Sequence, residues 1–327
     1  MLVQADAAGI ALAVRLLREG KLVAFPTETV YGLGARALDA AAVARVFEAK
    51  GRPPSHPLIA HVSGEAAARE LAREWSERAS RLAKTFWPGP LTLVVPRASH
   101  VPAVVAGGGD SIAVRAPAHP VARALIEALG EPIAAPSANR YQTLSPTRAE
   151  HVVKSLGDRV DLVLDGGACE SGIESTVVDV RGPRARVLRP GALSMAALRA
   201  IEPDIEVAEG VVAEDQDRAS PGMDPRHYAP RARVVLVESR QAAVAEAVAR
   251  AGGGLVGLVV RGAVHAELRA AIDVRMLPDS PEGYGAVMFA TLHALDDAGV
   301  TAIVVEAVPD GEAWWAVADR LKRAASS

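Results

Sequence analysis

KLVAFPTETVYGLG (21–34) and, after an alanine-rich segment, VFEAKGRPPSHPLIAHV (46–62) decide how this chain is read. A short apolar run, Leu22 to Phe25, ends at Pro26 and opens a polar loop with Thr27, Glu28, Thr29 and Tyr31. Gly32 and Gly34 permit close backbone approach there. Asp39 caps an expected helix through Val43, Val46 and Phe47, which delivers Lys50 near its C-terminus. A cation at that end of a helix is favoured by the dipole alone. Arg52, in the glycine–proline loop that follows, has no such explanation. The chain re-enters an apolar strand at Leu58, with His61 inside it. Two cations, a histidine and several hydroxyls in loops flanking two strands lay out a site for an anionic substrate.

Working outward, Asp6 caps a helix through Ile10, Val14 and Leu17 that ends near Gly20. Past His61, helical segments at 69–72 and 75–84 stop at WPGP (87–90), and Leu91 to Val95 reads as a strand. Ser111 to Arg115 is another strand, with Arg115 at its end. His119 and Pro120 open a helix closed by Gly130. Ile133 to Ala135 breaks into PSAN (136–139), whose hydroxyl and amide suit phosphate or ribose and equally suit turn capping. Thr147 and Glu150 have capping-box spacing for the next helix. DGGACESGIEST (165–176) can cradle an anion through glycine N–H groups or simply connect strands. RGPR (181–184) turns a hairpin between 176–180 and 185–188. Helical crossovers combined with a hairpin give an α/β fold with a twisted mixed sheet.

Residues 201–224 turn acidic and lose large apolar side chains, as a linker does, and the odd phrase PRHYAP (225–230) follows. The expected organisation is a catalytic domain over 1–200, a linker over 201–230 and a smaller α/β domain over 231–327. In that last domain strands at 234–237, 255–260 and 301–305 alternate with helices, a parallel Rossmann-like pattern. Its glycines at 252–254 precede a strand, so they are not a dinucleotide fingerprint.

Bulk properties narrow the classes. Over 327 residues the formal net charge is -3, against a chain that coats nucleic acid. Cys169 is the only cysteine, so neither a disulfide framework nor a thiolate cluster is available. HExxH and GxSxG are absent and no aspartate pair suggests a dedicated metal cage, so no metal-ligating residue is named. No apolar stretch reaches ~18 residues and no signal sequence is evident, so the expected setting is soluble and cytoplasmic.

The ordered phrases PTETVYGLG, KGRP with PLIAHV, PGPLTLVV, SIAVRAP, PSAN with SPT, ESTVVD and RPG resemble the YrdC-like domain. SPGM (220–223) and HYAP (227–230) resemble the linker signature of the two-domain form of the threonylcarbamoyl-AMP synthase family. The resemblance is strong to Gly191 and weaker beyond Pro230. It implies an enzyme, a nucleotidyltransferase that joins L-threonine, bicarbonate and ATP into threonylcarbamoyl-adenylate and releases pyrophosphate. Mg²⁺ would accompany the ATP. The product would pass to a tRNA threonylcarbamoyl transferase, with at most weak tRNA contact by this chain.

On the family pattern, Lys50 and Arg52 are the catalytic phosphate holders, and Ser137, Asn139, Ser145 and Arg189 help seat the nucleotide. Thr27, Thr29, His61, Arg115 and Ser175 line the threonine and bicarbonate side, and Tyr228 belongs to a linker that closes over the site. The chain departs from the pattern at Tyr141 and Gln142, where a small or aromatic residue followed by glycine is usual, and at His56, where asparagine is common. Two other classes fit fewer features: an RNA-binding module without turnover, and a carbamoyl-transfer adenylating enzyme using the same domain.

Overall fold

A computed structural model describes residues 1–208, 228–262 and 270–326. The chain divides into two compact units. The first comprises Met1–Tyr141, Ser145–Glu170 and Glu174–Asp224; the second takes Gln142–Leu144, Ser171–Ile173 and Pro225–Ser327. The SPGM phrase, His227 and most of the expected linker lie outside the described residues.

In the first unit the elements run β1 (Leu2–Gln4), α1 (Ala7–Arg18), β2 (Val23–Phe25), β3 (Gly32–Arg36), α2 (Ala40–Lys50), β4 (Ile59–His61), α3 (Glu65–Leu71), α4 (Glu77–Phe86) and β5 (Leu91–Pro96). They continue with β6 (Ser111–Arg115), α5 (Pro120–Leu129), β7 (Ile133–Ala134), α6 (Ala149–Leu156), β8 (Leu162–Asp165), β9 (Thr176–Asp179), β10 (Arg186–Arg189), α7 (Met195–Ile201) and β11 (Glu206–Val207). The described strands form an 11-stranded mixed sheet ordered β1-β8-β2-β3-β7-β4-β6-β5-β9-β10-β11. The fold class is therefore as the sequence implied.

The local signals explain most boundaries. Asp6 accepts the Gly9 N–H at the start of α1, and Asp39 accepts those of Ala41 and Ala42 at the start of α2. Gly51 ends α2 in the left-handed region at φ 65°, which turns the chain immediately after Lys50. Helices α1 and α5 bury Leu17, Leu125, Ile126 and Leu129 with Phe25, Ile133 and Leu164 in one core. Each such side chain contributes about 1.5–3 kcal/mol of transfer free energy. Gly34 is required by close packing: a Cβ there would lie 2.8 Å from both Phe25 Cε1 and Ile133 Cγ2.

One expectation fails at α6. Arg148, not Thr147, is the N-cap residue, and no side chain caps the helix. The Thr147 N–H instead donates to His151 Nδ1 at 3.3 Å. The imidazole one turn along competes for the donor that a capping box would use, and Thr147 is drawn inward. Glu206–Val207, within the expected linker, adds a parallel edge strand to β10.

The second unit contains β12 (Arg233–Val237), α8 (Arg240–Arg250), β13 (Val256–Arg261), β14 (Ile272–Leu277), α9 (Pro281–Asp297), β15 (Ala302–Glu306) and α10 (Trp315–Ala325). Its four described strands are all parallel, ordered β12-β15-β13-β14. Ala243 and Ala247 of α8 pack on Val256, Leu258 and Val304. Asp296 of α9 fixes the entry to β12, accepting from the Arg231 N–H and Nε, both at 2.9 Å.

Candidate active site

Register brings several candidates to one edge of the first sheet. β4 and β6 run parallel with His61 opposite Arg115, and β5 is antiparallel to β6. β9 is parallel to β5 with Thr176 opposite Leu91, and β10 returns antiparallel to end at Arg189. The strand ends therefore present His61, Arg115, Ser175 and Arg189 together.

Arg115 is pinned on all three of its nitrogens. Nε donates to the Gly89 carbonyl at 3.2 Å, Nη1 donates to Thr29 Oγ1 at 2.8 Å, and Nη2 lies 2.6 Å from Glu28 Oε1. Thr27 Oγ1 donates to the Val30 carbonyl at 2.7 Å, which uses its single proton. Thr29 Oγ1, 2.8 Å from Thr27 Oγ1, must then donate to it and accept from Arg115. A directed relay thus runs from Arg115 through Thr29 and Thr27 to the Val30 carbonyl.

Burial would raise the Glu28 carboxyl, but the Arg115 charge, with the Glu28 and Ala118 backbone N–H groups approaching, outweighs it and holds the pKa below the usual value. His61 is driven the other way for an imidazole. Burial first, then the Arg115 charge, pulls its pKa down to about 3, so the ring is neutral at working pH. Its Nδ1 lies 3.2 Å from the Ile59 carbonyl and it meets the Phe25 ring edge-on at 6.0 Å.

A second cluster surrounds Lys50. Its Nζ donates to the Ser137 carbonyl at 2.6 Å, the Asn139 carbonyl at 2.5 Å and Asn139 Oδ1 at 3.2 Å. Burial and the neighbouring Arg52 charge depress the Lys50 pKa well below its ordinary value, and the three acceptors act against that shift. Arg52 Nη2 reaches the Pro57 carbonyl at 3.2 Å. The PSAN loop is also held by its backbone, since Ala138 N–H donates to the Tyr31 carbonyl and Leu33 N–H to that of Pro136.

The third cluster is centred on Ser175. Arg189 Nη2 donates to the Ser175 carbonyl at 2.9 Å and approaches its hydroxyl at 3.3 Å, while Thr92 Oγ1 lies 2.8 Å from that hydroxyl. Next to it, Ser145 donates to Glu174 Oε1 at 2.5 Å. Gly191 is what lets the end of β10 approach so closely. A Cβ there would lie 2.3 Å from the Ser175 carbonyl carbon and 2.4 Å from the Glu174 oxygen.

The 165–176 loop behaves as a connection. The Gly166 N–H donates to Tyr31 Oη at 3.3 Å and the Gly167 N–H to Asp165 Oδ1 at 3.0 Å, so these donors are used within the protein. The departures from the family pattern are linked to one another: the His56 and Tyr141 rings meet at 5.6 Å. Gln142 adopts φ 68°, the region a glycine would favour. Tyr228, also at positive φ, lies in the second unit against Phe289 (5.5 Å) and beneath the Arg320 guanidinium (5.6 Å).

Glu28, Thr92 and Glu174 were not singled out as site residues from the sequence. Glu28 stands between two threonines that were, and Thr92 is the one polar residue in LTLVV; those were the available signals. Among the described residues no group of three or more His, Cys, Asp or Glu is arranged to hold a metal ion.

A family model described as "Telomere recombination" (Sua5_yciO_yrdC) matches residues 15–191, and one described as "Threonylcarbamoyl-AMP synthase, C-terminal domain" matches residues 193–326. A protein of Pyrococcus abyssi named threonylcarbamoyl-AMP synthase is 43% identical over 96% of this chain and 93% of its own length. A Bacillus subtilis protein of the same name is 38% identical over 97% and 92%. The crystal structure of P. abyssi Sua5 complexed with L-threonine superposes with a TM-score of 0.91 at 42% identity, covering 99% of this chain and 96% of that one.

Proposed function

The chain belongs to the Sua5/YrdC threonylcarbamoyl-AMP synthase family, and from that premise we infer that it makes threonylcarbamoyl-adenylate from L-threonine, bicarbonate and ATP, releasing pyrophosphate. One observation carries the assignment to this site. Among the described residues of the first unit, the buried lysine and arginine side chains are Lys50, Arg52, Arg115 and Arg189, none more than 6% exposed. Burying cations is costly unless something compensates them. The nearby buried carboxylates, Glu28 and Glu174, leave an excess of positive charge, which anionic substrates offset.

Threonine amine and bicarbonate combine to a carbamate with loss of water. A carbamate oxygen then attacks the α-phosphorus of ATP, the bond to the β-phosphate breaks, and pyrophosphate leaves with that electron pair. The chain's task is to gather anions, hold them in line and exclude water from a hydrolysable mixed anhydride. Lys50 and Arg52 are assigned to the phosphates, and Ser137, Asn139, Ser145 and Arg189 to seating the nucleotide. Thr27, Thr29, His61, Arg115 and Ser175 are assigned to threonine and bicarbonate. Neutral His61 is suited to accept or donate one hydrogen bond without adding charge. Tyr228, seated on Phe289, is assigned to the fixed end of a closing linker.

A divalent ion accompanies ATP chemistry of this kind, and we assign Mg²⁺. The donor set fits an ion carried on ATP phosphates: the clustered groups are cations, hydroxyls and amides, which hold the phosphates while the ion offsets their charge. The product is assigned to a tRNA threonylcarbamoyl transferase and the enzyme to the cytoplasm. That location is supported by tRNA as the final acceptor and by the lack of a helix among the described residues long and apolar enough to cross a membrane. Titration with L-threonine, with Mg-ATP and with both tests the site. Threonine should bind the wild-type chain, and Arg115→Ala should lose it while retaining ATP; loss of neither ligand would displace the assignment.

A further inference from the structure

Glu28 is 6% exposed; it ion-pairs with Arg115 and the Glu28 and Ala118 backbone N–H groups approach it, yet neither carboxylate oxygen completes a well-formed hydrogen bond among the described residues. Buried carboxylates normally collect two or more donors, and one left short of them is a place where a ligand donor gains most. The two neighbouring threonine hydroxyls do not supply such a donor. Thr27 spends its proton on the Val30 carbonyl, and Thr29 spends its own on Thr27 Oγ1.

Charge points the same way. Arg115 alone would make this pocket cationic and suited to any carboxylate. With the Glu28 carboxylate 2.6 Å from Nη2 and His61 neutral, the cluster Thr27, Glu28, Thr29, His61 and Arg115 has no net charge but a strong internal dipole. That pattern complements a zwitterion, which brings equal and opposite charges, and opposes a bare carboxylate, which would have to compete with Glu28 for Arg115. Resting on the assignment of threonine to this pocket, we propose that Glu28 is a specificity-determining residue: it reads the α-ammonium of the amino acid whose carboxylate Arg115 holds. Arg115, fixed through Gly89, Thr29 and Glu28, then presents its remaining N–H groups to the carboxylate with little freedom to lose.

The test is calorimetric titration of the full chain with L-threonine, with 3-hydroxybutanoate (threonine without its ammonium) and with 2-aminobutane-1,3-diol (its carboxylate reduced to an alcohol). Wild type should bind either analogue at least about tenfold more weakly than threonine. Glu28→Gln should lose about tenfold or more in threonine affinity, hold or gain affinity for 3-hydroxybutanoate, and raise the threonine KM with the ATP KM unchanged; Glu28→Asp should recover part of the loss. A folded Glu28→Gln chain with wild-type threonine affinity overturns the proposal. So does wild type that binds 3-hydroxybutanoate as tightly as threonine, a result independent of whether the variant folds. Wild type that binds no threonine at all removes the functional assignment, and this proposal with it.

Discussion

The Lys50 ammonium donates to both the carbonyl and the side-chain oxygen of Asn139, and so ties the end of α2 to the PSAN loop across 89 residues of sequence. The site is therefore closed by the same cation that is assigned to ATP phosphates. Binding a nucleotide there means exchanging some of these acceptors for phosphate oxygens.

Lys50→Met tests that double role. Removing the ammonium strands the Ser137 and Asn139 acceptors, and a buried unsatisfied acceptor costs about 1–3 kcal/mol. Thermal melting should show a stability loss of that order, and pyrophosphate release should fall by about two to three orders of magnitude, as when one preorganised electrostatic donor is lost. A variant of unchanged activity would leave Lys50 a structural tie alone.

Thr92→Val should separate ligand positioning from folding. It keeps the shape of β5 but leaves the Ser175 hydroxyl only Arg189 to orient it. One neutral hydrogen bond at about 1 kcal/mol corresponds to roughly a fivefold rise in threonine KM, with the ATP KM unmoved and Thr92→Ser restoring the original value. Steady-state kinetics with each substrate varied in turn would reveal it; equal effects on both substrates would contradict the role.

His61 makes a prediction about acid. Its folded pKa, about 3, lies below the unfolded value of about 6.5. Between these values the unfolded chain binds the extra proton, so stability falls as pH falls. From pH 7 to pH 5 the contribution is about 2 kcal/mol. Denaturant melts at the two pH values should show a smaller acid loss in His61→Gln than in wild type. His119, also lowered by burial, adds a loss of the same sign to both proteins, so the difference isolates His61. Identical losses would show that the ring is not buried neutral.

Much of the frame could be read from local chemistry. Asp6, Asp39 and Gly51 are capping signals whose effect extends only a few residues, and the RGPR turn specifies its own hairpin. Arg52, Arg115 and Arg189 stand out because each lies in a loop or at a strand end, whereas Lys50, at the end of α2, stands out only through its place beside Arg52. What could not be read depends on contacts distant in sequence. No local pattern distinguishes the Glu28 paired with Arg115 from a solvated glutamate, and Thr92 in an apolar strand resembles ordinary β-favouring filler until Ser175 comes opposite. The failed capping box at Thr147 has the same cause, because His151 competes from inside the fold.

The most direct measurement is pyrophosphate release from Mg-ATP by the full chain, with and without L-threonine and bicarbonate, and with the adenylate identified by mass. Release that requires both co-substrates, accompanied by a threonylcarbamoyl-adenylate mass, is the predicted result. ATP cleavage indifferent to threonine, or no cleavage at all, would contradict it.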